Sequence, residues 1–207
     1  MINVLLVEDK KMSQDSITGY VAASDRYRMA ATITNAGMAE MTCMRVPVDL
    51  ILMDFCTEFN EDGIAAAAVI KRRLPKIKII IVTGMTTIDL IDRARAAGAD
   101  SFWYKEAGDR ELLAVMDRTM AGESVYPDKP MVVKIGCALS GEFTPSELAV
   151  MQGIANGLTD AAIAQELHIS LPTVRYHVTQ LFEKTGYNSR VALMADLINK
   201  DFIIPKF

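Results

Sequence analysis

"INVLLVEDKK" (residues 2–11) decides the fold, because an unbroken apolar run stops abruptly on two adjacent carboxylates, Glu8 and Asp9. Apolar residues at successive positions, rather than at every second one, mark a strand covered on both faces, as in parallel sheets. The same figure returns along the chain. "VDLILMD" ends on Asp54, "KIIIVTG" carries Thr83 and "DSFWYK" ends on Lys105, with amphipathic stretches such as "GIAAAAVIKRRLP" and "RELLAVMDRTMAG" between and after them. Five strand and helix pairs of this kind predict an α/β fold with a doubly wound, five-stranded parallel sheet. Ligands of such sheets bind outside the carboxyl ends of the strands. The residues that end the runs are therefore the informative ones.

Taken alone, "VEDK" is an ordinary helix start, where the macrodipole favours a carboxylate. Together, Glu8, Asp9 and Asp54 place three carboxylates on one sheet edge, where they repel one another unless a cation satisfies them. Oxygen donors without a nearby His or Cys side-chain set suit Mg²⁺. Asp54 is then a candidate nucleophile that accepts a phosphoryl group as an acyl phosphate. Asp9 and Asp54 are candidate metal ligands, with Glu8 acting through water. Lys105 would place an ammonium on a phosphoryl oxygen and Thr83 would donate a hydrogen bond to another.

The pieces "VED", "DLILMD" with Asp54, "IVTGM" with Thr83 and "AAGADSFWYK" with Lys105, in this order, resemble the receiver domain of a two-component response regulator. The resemblance covers residues 1 to about 120 and implies a flavodoxin-like fold, a histidine kinase as phosphoryl donor, and Thr83 moving together with an aromatic that aligns with Phe102. It also aligns the backbone carbonyl of Cys56 as a metal ligand. The loop "DFCTEFNEDG" departs from the family: Glu58 stands where a proline is usual, and Gly63 comes one residue late. Glu106 follows the lysine where the family often has Pro or a small or acidic residue.

Gly122, Pro127 and Pro130 punctuate the end of this region, so the division expected is a receiver at 1–122, a linker at 123–142 and a second domain at 143–207. Within the linker, "MVVKIG" reads as a short strand or an ordered arm. The second domain is helical in period throughout. Thr144, Pro145 and Glu147 form a capping box with Pro at the first helical position, Gly157 stops that helix, Thr159 or Asp160 caps the next, and Ser170 caps a third. Two helices joined by a tight turn predict a helix-turn-helix inside a smaller all-α, four-helix domain. On the third helix Val174, Val178, Leu181 and Phe182 fall on one side as core. Tyr176, Thr179, Gln180 and Glu183 lie opposite, with Arg175 and His177 on the flanks.

"TPSELAVMQGIANGLTDAAIAQELHISLPTVRYHVTQLFEKTG", with "SR" beyond, is similar to the LuxR-type DNA-binding domain. The two halves together resemble a NarL/FixJ-type response regulator. That resemblance implies that Arg175, Tyr176 and Thr179 face bases and that Lys184 and Arg190 lie near phosphates. It also implies that the last helix pairs two copies on palindromic half-sites of a promoter. His177 reads as a packing residue or a phosphate contact.

Composition sets the frame. In 207 residues the net charge is −4, and residues 141–207 carry five Lys/Arg against seven Asp/Glu, so any DNA contact must come from a local patch. Cys43, Cys56 and Cys137 are odd in number, widely spaced and without zinc spacing. No apolar run approaches the roughly 18 to 20 residues of a membrane span, and Glu8 comes too early for a signal peptide. The expected setting is the cytoplasm. An enzyme acting on small molecules is not expected: phosphatases of the haloacid dehalogenase type need a second Asp two residues after the first, and Cys56 stands there. The altered loop leaves one alternative open, a phosphorylation-independent DNA-binding regulator with a degenerate receiver.

Overall fold

The structure is a computed structural model that describes residues 1–85, 90–105, 109–128, 131–200 and 202–203. Glu106, which follows Lys105, lies outside the described residues, as does Pro130. The chain divides into two compact units, essentially the first 129 residues and the remainder.

The first unit runs β1 (Ile2–Val7), α1 (Lys11–Ala22), β2 (Tyr27–Ile33), α2 (Ala39–Arg45), β3 (Leu50–Asp54), the two-residue strands β4 (Cys56–Thr57) and β5 (Glu61–Asp62), α3 (Gly63–Arg73), β6 (Lys78–Thr83), α4 (Leu90–Ala96), β7 (Ser101–Tyr104) and α5 (Asp109–Met120). The sheet order is β2-β1-β3-β6-β7, all parallel. Leu50 to Met53 and Ile79 to Ile81 are fully buried, as runs covered on both faces must be. Alternate residues serve alternate faces. Val4, Leu6, Leu52, Ile80 and Trp103 pack with Ile17 and Val21 of α1 and Leu112, Val115 and Met116 of α5. Each side chain so buried contributes roughly 1.5–3 kcal/mol. α3 packs against β3 and β6.

The second unit opens with a hairpin, β8 (Lys134–Ile135) and β9 (Ala138–Leu139), and continues through α6 (Pro145–Ala155), α7 (Asp160–Glu166), α8 (Leu171–Thr185) and α9 (Arg190–Asn199). The Thr144 capping box forms, with Thr144 N–H donating to Glu147 Oε2 at 2.7 Å. Thr159 caps α7 and Ser170 caps α8, while Gly157, at φ 72°, ends α6. Met151, Ile154, Ile163, Val174, Leu181, Leu193 and Leu197 form the core, and Ile135 and Ala138 of the hairpin belong to it. Gly136 makes that docking possible: at φ 58° a side chain is strained, and a Cβ there would sit 2.0 Å from the carbonyl oxygen of Thr185.

The segment between the helical parts thus divides its allegiance. Val125 is tied to the edge of β7, its carbonyl accepting from Phe102 N–H at 2.8 Å, while residues 134–139 pack with α6 to α9. No helix among the described residues is long and apolar enough to cross a membrane.

Candidate functional site

The C-terminal ends of β1 and β3 bring Glu8, Asp9 and Asp54 together, with one carboxylate oxygen from each lying within 4.8 Å of the others. Glu8 is fully buried and Asp54 nearly so, whereas Asp9 is exposed. Lys105, just past β7, crosses the cluster: its ammonium donates to Asp54 Oδ2 at 2.9 Å and also pairs with Glu8 Oε2. Asp54 Oδ1 accepts from Phe55 N–H at 2.8 Å.

Lys105, even with Lys10 acting on Asp9, does not balance three carboxylates, and the carboxyls shift accordingly. Burial pushes the Asp54 carboxyl up to about 7, with Lys105 opposing the rise and Glu8 adding to it. Burial followed by repulsion from Glu8 raises Asp9 as well. Burial alone would lower Lys105, but Asp54 and Glu8 outweigh it and hold the ammonium above its ordinary value. A cluster of oxygen donors with this surplus of negative charge fits a hard divalent cation.

Thr83 ends β6, fully buried, one residue beyond Val82, the register partner of Asp54. Phe102 lies on β7, buried, with its ring 4.9 Å from that of Tyr104 and 6.4 Å from that of Tyr126. Cys56 opens β4 and pairs with Asp62.

The long loop after Asp54 is built, not slack. Phe59 takes a left-handed conformation (φ 62°) and turns the chain between β4 and β5, which absorbs the extra residue. Glu58, in the place of the family's proline, turns away to Thr34 Oγ1, while its carbonyl accepts from Asn35 Nδ2 at 2.8 Å. The loop returns in register: Gly63 N–H donates to Phe55 O at 2.8 Å, and a Cβ on Gly63 would lie 1.9 Å from Asp54 O. Only glycine allows that approach. Asp62 caps α3 through Ile64 N–H and Ala65 N–H and holds Arg93 of α4. Sequence reasoning passed over Asp62 and Arg93. An Asp directly before a helix start is a capping signal, but nothing in a sequence announces the arginine.

In the second unit α7 and α8 make the helix-turn-helix. His168 enters the left-handed region (φ 54°) to turn the chain, and Ile169 N–H donates back to Ala164 O at 3.0 Å. Arg175, Tyr176 and Thr179 lie exposed on α8, with Tyr176 60% accessible; His177 is half-buried, its ring 5.5 Å from that of Tyr176. Lys184 and Arg190, which the resemblance placed near phosphates, each make an ion pair within the domain and stay partly exposed. Lys184 pairs with Glu147 at 2.7 Å, and Arg190 pairs with Asp160 at 2.6 Å while donating to Leu158 O. Both cations are engaged inside the domain. Arg175, by contrast, forms no ion pair among the described residues.

Comparison with known proteins agrees with this geometry. A family model described as "Response regulator receiver domain" matches residues 4–117, and one described as "Bacterial regulatory proteins, luxR family" matches residues 142–195. The chain is 29% identical over 194 residues to the response regulator protein VraR of Staphylococcus aureus (strain Mu3), covering 91% of this chain and 92% of that one. RcsB of Salmonella enterica serovar Typhimurium, solved bound to promoter rprA, is similar at 18% identity with a TM-score of 0.59, over 95% of this chain and 98% of that one. The response regulator ChrA of a heme-sensing two-component system is similar at 20% identity with a TM-score of 0.51, over 96% and 97%. At those identities the solved structures speak for the fold; the family models carry the kinship. The chain belongs to the response regulators, with a receiver followed by a LuxR-type helix-turn-helix domain in the NarL/FixJ arrangement.

Proposed function

We propose that this protein is a cytoplasmic transcription factor switched by phosphorylation of Asp54, with a histidine kinase as donor, rather than an enzyme acting on small molecules. One observation carries the reading: Lys105 is held by Asp54 and Glu8 at once, inside a carboxylate cluster that has too few cations. Mg²⁺ held by Glu8, Asp9, Asp54 and the carbonyl of Cys56 would neutralise charge on the transferring group. The protein's own part follows. Asp54 attacks phosphorus as its donor bond breaks, Lys105 transfers a hydrogen bond from Asp54 Oδ2 to a phosphoryl oxygen, and Thr83 donates to another. Thr83 and Phe102 then adopt the second of two states. The loop that left the degenerate-receiver alternative open returns Gly63 against Asp54 and directs Glu58 elsewhere, which favours a working site.

Because Mg²⁺ needs Asp54 ionised, its binding must compete with the proton that burial favours. The apparent Mg²⁺ affinity, followed by fluorescence of Trp103, the single Trp, is expected to rise about tenfold per pH unit below about 7 and to level off above it. A flat profile there would remove Asp54 from the donor set.

For the second domain we propose that Arg175, Tyr176, Thr179 and His177 meet DNA, with Arg175 at base edges or phosphates near the start of α8. Lys184 and Arg190 would lie near DNA phosphates while bracing the helix-turn-helix through Glu147 and Asp160, and α9 would pair two copies. The domain limits proposed are 1–122 and 143–207, with 123–142 between them divided: Val125 is bonded to β7 and the 134–139 hairpin is packed in the second domain's core. The test is selection from a random DNA pool by the full chain in acetyl phosphate and Mg²⁺. Wild type is expected to enrich paired half-sites and Asp54→Asn to enrich them weakly. Arg175→Ala is expected to lose about 1–3 kcal/mol per half-site. Equal enrichment by wild type and Asp54→Asn would favour phosphorylation-independent binding instead.

A further inference from the structure

The solvent face of α2 is made of methionine. Met38 directly precedes the helix and already has right-handed helical backbone (φ −88°, ψ −9°), so residues 38–45 run on as one turn after another. Met38, Met41 and Met44 are 46%, 41% and 63% accessible, and every residue between them is buried or half-buried. The polar side chains that would ordinarily take such a face are directed elsewhere. Glu40 holds Arg73 at 2.8 Å, and Thr42 Oγ1 donates back to Met38 O at 2.9 Å. A surface helix normally turns its polar residues to water and its apolar ones to the core. On α2 that order is inverted.

The spacing gives the inversion a chemical meaning. Residues three apart on a helix are neighbours, with Cβ atoms about 5–6 Å from one another, and the three methionines together span roughly 9 Å of axis. Methionine is unbranched, with three rotatable bonds and a polarizable sulfur, so thioethers placed in this way can converge above Met41. Cys43 does not share their face. It lies about 200° around the axis from Met41, half-buried, and burial pushes its thiol up to about 11, so it offers no thiolate at neutral pH. The donors left on the surface are three soft, neutral sulfurs.

We propose that Met38, Met41 and Met44 form a binding site for a soft monovalent metal ion of the Cu(I) class. Thioether sulfur selects Cu(I) over hard ions. Being neutral, the three donors leave a divalent charge uncompensated, and Glu40, the one carboxylate of α2, is already taken by Arg73. Mg²⁺ finds its oxygen donors at Glu8, Asp9 and Asp54 instead. The site stands apart from phosphorylation of Asp54 and does not depend on it.

The experiment is oxidation of the full chain by tert-butyl hydroperoxide in chloride-free buffer, with and without Ag⁺ as a redox-inert stand-in for Cu(I), read at each methionine by peptide mass spectrometry. A sulfur whose lone pair is held by the metal is shielded from conversion to the sulfoxide. Ag⁺ is supplied beyond what Cys43, Cys56 and Cys137 take up, and Met12, 86% accessible and without a second methionine on α1, is the internal reference. With free Ag⁺ at about ten times the dissociation constant, mass action leaves roughly one site in eleven unoccupied, so the three methionines should oxidise about 10-fold more slowly relative to Met12. Mg²⁺ in place of Ag⁺ should protect none of them. Met41→Leu keeps the size and apolar character of the side chain but removes the central donor, and protection at Met38 and Met44 should fall to that of Met12. Three outcomes would overturn the proposal: an equal effect of Ag⁺ on Met12 and on the three, equal protection by Mg²⁺, or undiminished protection of Met38 and Met44 in Met41→Leu, which would mean that each sulfur binds by itself.

Discussion

Incubated with acetyl phosphate and Mg²⁺, the wild-type chain is expected to gain one phosphoryl group, and Asp54→Asn to gain none, by intact-mass spectrometry. The difference is all or none because an amide cannot displace acetate from phosphorus to form the acyl phosphate. Chelation of the metal should abolish the adduct as well, since Lys105 and Lys10 leave the three-carboxylate cluster with excess negative charge facing an anionic donor. Lys105→Ala should form adduct slowly, and its DNA binding should respond little, because the ammonium that follows the phosphoryl group is gone. The metal-free protein offers an independent check through pH. The Asp54 carboxyl is raised by burial from an ordinary value near 3.8 to about 7. Its neutral form is therefore the one the fold prefers, and that contribution is fully present at low pH and lost as pH rises through about 7. Thermal stability without metal should fall over that interval, and Mg²⁺ should flatten the fall. An adduct that persists in Asp54→Asn would move the acceptor elsewhere.

Much of this site was legible because a parallel sheet turns sequence position into spatial position. Once "NVLLV", "DLILM" and "KIIIV" are strands of one sheet, their last residues must share an edge, and Glu8, Asp9, Asp54 and Lys105 do meet there. The helix caps were legible for the same kind of reason: Thr144 and Glu147 satisfy each other's backbone within one turn, so the signal is local. What escaped was set by side chains that meet across long separations or by backbone states without a residue signature. Phe59 and His168 take positive φ, where Gly or Asn is the usual sign. Lys184 meets Glu147 from 37 residues away and Arg190 meets Asp160 from 30, so neither ion pair can be read before the helices are packed. Arg93 and Arg95 read as surface charge for the same reason.

Those ion pairs decide what an acidic DNA-binding domain does with its few cations. Glu147 is buried at the start of α6, accepting from Thr144 N–H and from Lys184, whose ammonium also donates to Glu142 O at 2.9 Å. Burial alone would raise the Glu147 carboxyl, but Lys184 and the Thr144 N–H outweigh it and hold it below the usual value. A depressed carboxyl stabilises the fold above its unfolded value and ceases to do so as pH falls through the folded one. Lys184→Met removes the principal offset and leaves a buried charge supported by Thr144 alone, through its backbone N–H and its side chain. Removing one partner of a buried pair costs about 3–5 kcal/mol, and the partial exposure of Lys184 brings the expectation to about 1–3 kcal/mol. A lowered denaturation midpoint of the second domain near neutral pH checks this, with Lys184→Arg restoring most of the loss. The salt dependence of DNA binding separates the structural role from a phosphate contact. A lysine that neutralises a phosphate takes about one unit from the slope of log affinity against log salt when it is removed. For Lys184→Met, measured where the variant is fully folded, the slope should fall by less than about one unit, since Glu147 already holds the ammonium, whereas Arg175→Ala should reduce base discrimination, the slope, or both. A full unit lost with Lys184 would return that residue to the DNA backbone and leave Glu147 to be stabilised by its cap alone.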